Sequence, residues 1–229
     1  INPEVYKALS PRISVVPKGL VSECLEKQLL INQDMDNFGH HGSLIPFDSS
    51  TNERIGDSFP TRVAVKIQDG CNHACTYCIV HTARGKAWSR NWDAIIDEVV
   101  ALESHGVKEI VLTAIDLGSY RFDKRRLSDL LEELLDKTSK VRFRISSIEP
   151  CSIDKKLPEL LSSSQGRICR HLHLPLQSGS HKVLKEMKRP YSRDYYLDLC
   201  ENLHAEIPHL SLTTDIIAGF PGETESEFK

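Results

Sequence analysis

Apolar and polar positions follow two spacings along most of this chain. Segments in which every second residue is apolar predict strands, and segments in which apolar residues recur every three or four positions predict helices. From residue 62 onward the two patterns take turns, which is typical of a parallel sheet wrapped by helices. The predicted strands cover residues 62–67, 110–113, 141–146, 171–174 and 210–218.

Residues that favour helix ends support the boundaries of the predicted helices. Asn91 can cap the first helix of this region, and Gly106 is placed to end it. Pro158 stands near the start of a short helix, and residues 224–227 form a capping box for the last one. Two more helices are predicted around 183–187 and 195–203. Three predicted helices carry apolar stripes, which are, in chain order, Ile95, Ile96, Val99 and Leu102; Leu127, Leu130, Leu131, Leu134 and Leu135; and Leu157, Leu160 and Leu161.

The start of the chain carries weaker patterns. Residues 1–31 predict a short helix, an apolar strand and an amphipathic helix, which together suit the tail of an α/β domain. Cys24 has helical spacing among leucines and is predicted to be a buried structural cysteine. Residues 32–60 are rich in Asn, Asp, Gly and Ser and predict a linker. Because the chain begins at Ile1 rather than Met, we expect an excerpt of a longer protein, with a sixth strand just beyond residue 229.

Composition limits the classes of partner and compartment. The chain has 229 residues, a formal net charge of −3 and a pI near 6.4. A nucleic-acid partner would therefore need a local cationic patch or a further domain. Seven cysteines, three of them clustered, do not suit a disulfide framework and predict a reducing cytoplasm. No apolar run approaches the roughly 18 to 20 residues of a membrane span, and no signal peptide opens the chain.

Three of the cysteines lie within eight residues, as Cys71, Cys75 and Cys78 in the spacing Cys-x-x-x-Cys-x-x-Cys. Three thiolates so close together can hold a cubane iron–sulfur cluster and leave one of its four irons open to a substrate. The predicted strand 62–67 leads directly into this motif. The cysteines are therefore expected on a loop at the carboxyl end of a strand, which is the catalytic end of a βα barrel.

Two other uses of the same cysteines remain open at this point. With His73 they can bind zinc, and Cys75 with Cys78 alone can form a redox dithiol. Either use would make the chain a non-catalytic zinc or redox scaffold.

The cysteine spacing, with Tyr77 just before the third cysteine, resembles the signature of radical S-adenosylmethionine (SAM) enzymes. The resemblance implies a partial TIM-like (βα) barrel that binds a [4Fe-4S] cluster and SAM. In that superfamily the open iron chelates the amino and carboxylate groups of SAM, and an electron from the reduced cluster releases a 5′-deoxyadenosyl radical. The resemblance places Tyr77 near the adenine.

Further motifs are similar to those of the methylthiotransferases, namely residues 66–71, 83–85, 171–180 and 215–224. These enzymes add a methylthio group to an adenosine beside the tRNA anticodon or, in one branch, to an aspartate of a ribosomal protein. Residues 146–150 look most like the branch that acts on threonylcarbamoyladenosine, with the isopentenyladenosine branch as an alternative.

The same resemblance implies a domain plan, with residues 1–31 as the remnant of an N-terminal methylthiotransferase domain, 32–60 as a linker and 61–229 as a radical SAM core truncated before its last strand. A second [4Fe-4S] cluster is expected in the full-length protein, on cysteines upstream of this chain, and a basic RNA-binding module is expected downstream of it. The implied partners are a tRNA anticodon loop and an electron donor such as flavodoxin or ferredoxin, and the protein is expected to be a monomer.

Polar residues at the predicted strand ends are the candidates for holding SAM. Asp116 follows the second strand, where the superfamily binds the methionine amino group. Glu149, Gln177, Ser178 and Asp215 follow the third to fifth strands and are candidates for the ribose or the methionine carboxylate. For each residue a purely structural hydrogen bond is the alternative.

Other charged residues have less specific interpretations. Arg84, Lys86 and Arg90 follow the cysteine motif and can meet tRNA phosphates, although a solvated basic loop is the simpler interpretation. His171 and His173 alternate with leucines, which favours histidines that line a core or a barrel over metal ligands.

Overall fold

The structure is a computed structural model, and it describes residues 62–229. The predictions for residues 1–31, for the linker 32–60 and for Cys24 lie outside the described residues. The strands are β1 (Val63–Lys66), β2 (Gln68–Asp69), β3 (Trp88–Ser89), β4 (Glu109–Thr113), β5 (Arg121–Phe122), β6 (Arg125–Arg126), β7 (Arg142–Ile145), β8 (His171–His173) and β9 (Ser211–Thr213).

The longer strands run parallel to one another. Strand β4 lies between β1 and β7, and β8 pairs with β9. Parallel bridges from Phe143 to Ile168 and from Ser147 to His173 continue the first group into the second. The resulting order β1-β4-β7-β8-β9 follows the chain, as a βα barrel requires.

Helices connect these strands and cover one side of them. They are α1 (Val80–Ala83), α2 (Trp92–Ser104), α3 (Leu127–Lys137), α4 (Lys156–Ser163), α5 (His181–Glu186), α6 (Arg193–Glu206) and α7 (Glu225–Phe228), with short 3-10 turns at Leu117–Ser119 and Pro150–Ser152. The core consists of alternate strand residues and the apolar helix stripes, including Val65, Ile110, Leu112, Phe143, Ile145, Ile95, Val99, Leu130 and Leu134, all almost fully buried.

The other side of the strands is largely polar, with Ala64 and Val111 as apolar members. The buried carboxylate of Glu109 accepts hydrogen bonds from Arg142 Nε at 3.0 Å and Arg144 Nε at 2.8 Å. A cavity of about 450 Å³ opens beside these two arginines. It lies at the amino ends of β7 and β8, whereas the cysteine loop follows the carboxyl end of β1.

The strands and helices predicted between residues 62 and 229 are confirmed in type and order. Asn91 Oδ1 accepts the N–H of Ala94 at 3.0 Å, and Gly106 takes a positive φ of 89° just after α2. The predicted strand 210–218 is too long, because regular pairing covers only Ser211–Thr213 and a single bridge from Gln177 to Ile216 follows. The short antiparallel pairs β2–β3 and β5–β6 were not predicted.

Between residues 62 and 229, none of the helices combines the length and the apolar character that crossing a bilayer demands.

Candidate functional site

The cysteine loop leaves the barrel at the carboxyl end of β1, directly after β2. Gly70 begins it with a positive φ of 74°, and the N–H of Cys71 then donates to the carbonyl of Gly85 at 3.1 Å. The side chain of Asn72 accepts the N–H of Ala87 at 3.1 Å. These bonds fasten the start of the loop to the segment that leads into β3.

Each cysteine sulfur of the loop has a hydrogen-bond donor. Cys71 Sγ accepts the N–H of His73 at 3.4 Å, and Cys78 Sγ accepts the N–H of Val80 at 3.5 Å. Cys75 Sγ accepts a hydrogen bond from Nη1 of Arg189 at 3.3 Å. Burial raises the pKa of the Cys71 thiol, although the N–H of His73 opposes that change. Hydrogen-bond donors directed at cysteine sulfurs are a feature of iron–sulfur sites, where they help to set the reduction potential.

The three sulfurs share a loop without converging on one point. All three cysteines are free thiols, and within residues 62–229 no set of three His, Cys, Asp or Glu side chains is arranged to hold a single metal ion. A cubane cluster is bound by cysteines on its separate iron corners and does not require them to meet at one ion. The donor set, three free thiols supported by N–H donors, therefore suits an iron–sulfur cluster better than a compact zinc site.

Asp116 lies beside the cysteine loop, as its place at a strand end predicts. Its carboxylate is 3.3 Å from Nε2 of His73, and the residue is 8% exposed. The N–H of Asp116 donates to Oε1 of Gln68 at 3.0 Å, while Nε2 of Gln68 donates to the carbonyl of Gly70 at 2.8 Å. Nε2 of His73 thus faces the Asp116 carboxylate at the edge of the cysteine loop.

Glu149 and Tyr77 are brought together by a residue that was not predicted. The Arg189 guanidinium pairs with the Glu149 carboxylate, and its Nη1 donates to the Tyr77 hydroxyl at 3.3 Å. Burial raises the pKa of Glu149 in spite of this cation, and burial raises the pKa of Tyr77 to about 12. The Tyr77 ring is 38% exposed and leaves space for a ligand against it.

Gln177, Ser178 and Asp215 form a separate group at the ends of β8 and β9. Gln177 has a positive φ of 68°, and its N–H donates to the carbonyl of Asp215 at 2.9 Å. The buried Ser178 hydroxyl accepts the N–H of Ser180 at 3.1 Å, which is the structural alternative for that residue. The exposed carboxylate of Asp215 is 3.2 Å from Nε2 of His173. In the part of the chain that the structure describes, none of these contacts reaches the cysteine loop.

Sequence reasoning missed Arg189 and Gln68, which make the most connections around the loop. Gln68 ends the strand pattern before the motif, and its buried amide joins Asp116, just after β4, to the loop. Arg189 lies 111 positions after Cys78 along the chain and follows no periodic pattern. Only the folding of the barrel brings its side chain to the cysteines.

Comparison with protein families identifies the domain. The family described as "Radical SAM superfamily" matches residues 65–229, which run from within β1 through the cysteine loop to the last described helix.

Proteins similar in sequence carry methylthiotransferase names. The threonylcarbamoyladenosine tRNA methylthiotransferase MtaB of Bacillus subtilis (strain 168) is 45% identical over 171 residues, which are 73% of this chain and 38% of that protein. The tRNA-2-methylthio-N(6)-dimethylallyladenosine synthase of Carboxydothermus hydrogenoformans is 43% identical over 171 residues, 73% of this chain and 39% of that protein. The chain thus spans about two fifths of the length of these relatives, and its resemblance to the methylthiotransferases is confirmed.

Solved structures support the fold. The radical SAM methyltransferase TsrM from Kitasatospora setae, with tryptophan and a SAM analogue bound, has a TM-score of 0.56 at 19% identity and covers 72% of this chain and 32% of its own. The cobalamin-dependent radical enzyme OxsB gives a TM-score of 0.54 at 14% identity, over 67% of this chain and 23% of its own. These likenesses concern the fold alone and confirm the partial barrel. Because the family match extends over most of its length, the chain belongs to the radical SAM superfamily.

Proposed function

We propose that this chain is the radical-generating part of a tRNA methylthiotransferase, and that its substrate is the threonylcarbamoyladenosine next to the anticodon. The observation that carries the proposal is the 45% identity, over 171 residues, to a relative named for that reaction. Residues 65–229, which match the radical SAM superfamily, include the three-cysteine loop at the carboxyl ends of the strands.

Cys71, Cys75 and Cys78 are the proposed ligands of a [4Fe-4S] cluster. Together with SAM, that cofactor supplies an organic radical able to remove a hydrogen atom from an unreactive carbon. The residues of the chain would hold and orient SAM. Asp116 is proposed to accept a hydrogen bond from the amino group of SAM, and Tyr77 is proposed to pack on its adenine. Glu149, Gln177, Ser178 and Asp215 are the proposed partners of the ribose and the carboxylate.

The surface beside the loop suits a single-stranded RNA. Ile79 and Trp88 are exposed large apolar side chains, and Arg84 and Lys86 lie between them along the chain. Unpaired bases stack on exposed aromatic rings, and cations meet the phosphates. A local patch of this kind can bind tRNA in spite of the overall charge of −3.

Two related substrates compete with the proposed one. Relatives of nearly equal identity are named for dimethylallyladenosine, so the isopentenyladenosine branch is the first alternative. The ribosomal-protein aspartate is the second. Residues 146–150, at the end of β7, are the feature that favours threonylcarbamoyladenosine. Mass spectrometry of digested tRNA and of ribosomal proteins after reaction separates the three.

The remaining parts of the proposal concern the whole protein. A second [4Fe-4S] cluster is the proposed sulfur source. We assign residues 1–31 to the end of the domain that holds that cluster, residues 32–60 to a linker, and residues 61–229 to the radical SAM core. We propose that the protein lies in the cytoplasm and is a monomer in solution. A flavodoxin or ferredoxin is the proposed electron donor.

The test is anaerobic reconstitution of the 229-residue chain with iron and sulfide. We expect about four irons per chain, and release of 5′-deoxyadenosine when SAM and a reductant are added. Zinc as the only retained metal would favour a zinc scaffold. A reversible Cys75–Cys78 disulfide with no bound metal would favour a redox dithiol. Either result would overturn the proposal.

A further inference from the structure

Arg189 is the most connected side chain around the cysteine loop. Its side chain is 6% exposed, and its guanidinium pairs with the Glu149 carboxylate at the end of β7. Nη1 donates both to Cys75 Sγ and to the Tyr77 hydroxyl at 3.3 Å. A buried cation that contacts a proposed cluster ligand acts on that ligand through little intervening water, so its charge is weakly screened.

The segment that carries Arg189 is itself fixed to the loop. Thr76 donates its N–H to the carbonyl of Met187 at 3.3 Å and its hydroxyl to the carbonyl of Glu186 at 3.0 Å. On the other side, Nε of Arg189 donates to the Tyr191 hydroxyl at 3.1 Å, and that hydroxyl donates to the carbonyl of Pro175 at 2.7 Å. The guanidinium is therefore held in place on both sides.

We propose that Arg189 is a positioning residue that raises the reduction potential of the cluster bound at Cys71, Cys75 and Cys78, with Glu149 as its counter-charge. This inference rests on the proposed function, because it requires an iron–sulfur cluster on those cysteines. Hydrogen bonds to the sulfurs and nearby charge are known determinants of cluster potentials. One-electron reduction adds negative charge, which a neighbouring guanidinium stabilises and a neighbouring carboxylate destabilises.

The charges of the pair predict opposite effects of two changes that each remove one charge. Arg189→Gln removes the cation and the donor to Cys75, so the reduced cluster loses stabilisation and the potential falls. Glu149→Gln removes the counter-charge and leaves the cation, so the potential rises. A residue that merely supported the loop would not give shifts of opposite sign. Arg189→Lys keeps the charge with a different donor geometry. Its reduction potential is expected to lie between that of Arg189→Gln and that of the unchanged chain.

The experiment is a redox titration of the reconstituted chain, without SAM, with dithionite as reductant and the EPR signal of the reduced cluster as readout. For Arg189→Gln we expect the reduction equilibrium to fall about tenfold, a shift of about 59 mV to more negative potential. Arg167→Gln is the matched control. Arg167 is a half-buried arginine that donates to the carbonyls of Val141 and Thr138 at the amino end of β7, and its loss should leave the potential unchanged.

The possible failures are distinguishable. If the unchanged chain binds no cluster, the proposed function falls and the inference falls with it. If all variants hold the cluster at one potential, the inference is wrong and the proposed function stands. Should Arg189→Gln lose its cluster, Glu149→Gln decides, because an unchanged or lower potential in that variant would contradict the assigned charges.

Discussion

A Cβ atom on Gly70 would lie 2.1 Å from the carbonyl oxygen of Lys86. Gly70 also has a positive φ of 74°. Glycine is therefore required both by the backbone angle and by the close approach of the backbone at Lys86. Gly70→Ala must therefore push apart the two sides of the cysteine loop. We expect this variant to lose most of its iron on reconstitution and to unfold at a lower temperature, as measured by metal analysis and circular dichroism.

Gly85→Ala is the matched control for that change. Gly85 has nearly the same φ, 75°, but nothing lies within 4 Å of the position of its Cβ. Its substitution should cost only the backbone strain of about 1 to 2 kcal/mol and keep the cluster. Equal iron loss in both variants would mean that the angle, and not the contact with Lys86, constrains the loop.

The proposed ligands should behave as one unit. Replacing any one of Cys71, Cys75 and Cys78 by Ala is expected to abolish the visible absorption of the reconstituted cluster and the bound iron. Cys200→Ala is the control, because this free cysteine lies in α6 and not among the three clustered cysteines. Full iron content in Cys75→Ala would remove that residue from the ligand set.

The repeating βα architecture was predictable because its pattern comes from burial. Ile110 and Leu112 are fully buried, and their partners across the sheet alternate in the same way. The two-residue pairs β2–β3 and β5–β6 are too short to show a period. The end of the strand predicted at 210–218 was wrong because Ile216 is 59% exposed, and its apolar character was read as a strand position.

The candidate site was predictable only in part. Cys71, Cys75 and Cys78 are found from local spacing, and Asp116 from its place after a strand. Arg189 could not be found, because its role depends on contacts across the barrel with Cys75, 114 positions away, and with Glu149, 40 positions away. Such contacts leave no mark in the local pattern of the chain.

Glu103 gives a prediction on stability and pH. Burial alone would raise the pKa of this carboxyl, but the N–H groups of Lys140, Val141 and Ser139 outweigh that effect and lower it. A lowered pKa in the folded state means that the carboxylate stabilises the fold at neutral pH, and that this contribution is lost as the pH falls below about 4.5. Glu103→Gln should reduce the free energy of unfolding at pH 7 by about 1 to 3 kcal/mol.

Urea unfolding of the unreconstituted chain at several pH values tests this. The difference between Glu103→Gln and the unchanged chain should shrink as the pH falls from neutral toward about 3. Glu201→Gln, an exposed position on α6, should change the free energy of unfolding by less than about 0.5 kcal/mol at any pH. A constant difference for Glu103→Gln would show that packing, not charge, is responsible.

Trp88 is placed to contact the proposed tRNA substrate. Its ring is 46% exposed on β3, whose partner β2 leads into the cysteine loop, and Lys66 Nζ lies 6.0 Å from the ring centroid. An exposed ring with a cation nearby can stack on an unpaired base and meet its phosphate. Trp88→Ala is therefore expected to weaken binding of an anticodon stem-loop by about 1 to 3 kcal/mol, and Trp88→Phe by less.

The measurement is fluorescence anisotropy of the labelled RNA at one fixed salt concentration, because salt alone changes such affinities strongly. Phe228→Ala, which removes another exposed aromatic side chain, is the control and should leave the affinity unchanged. Equal losses for Trp88→Ala and Phe228→Ala would mean that the ring beside the loop has no specific part in binding RNA.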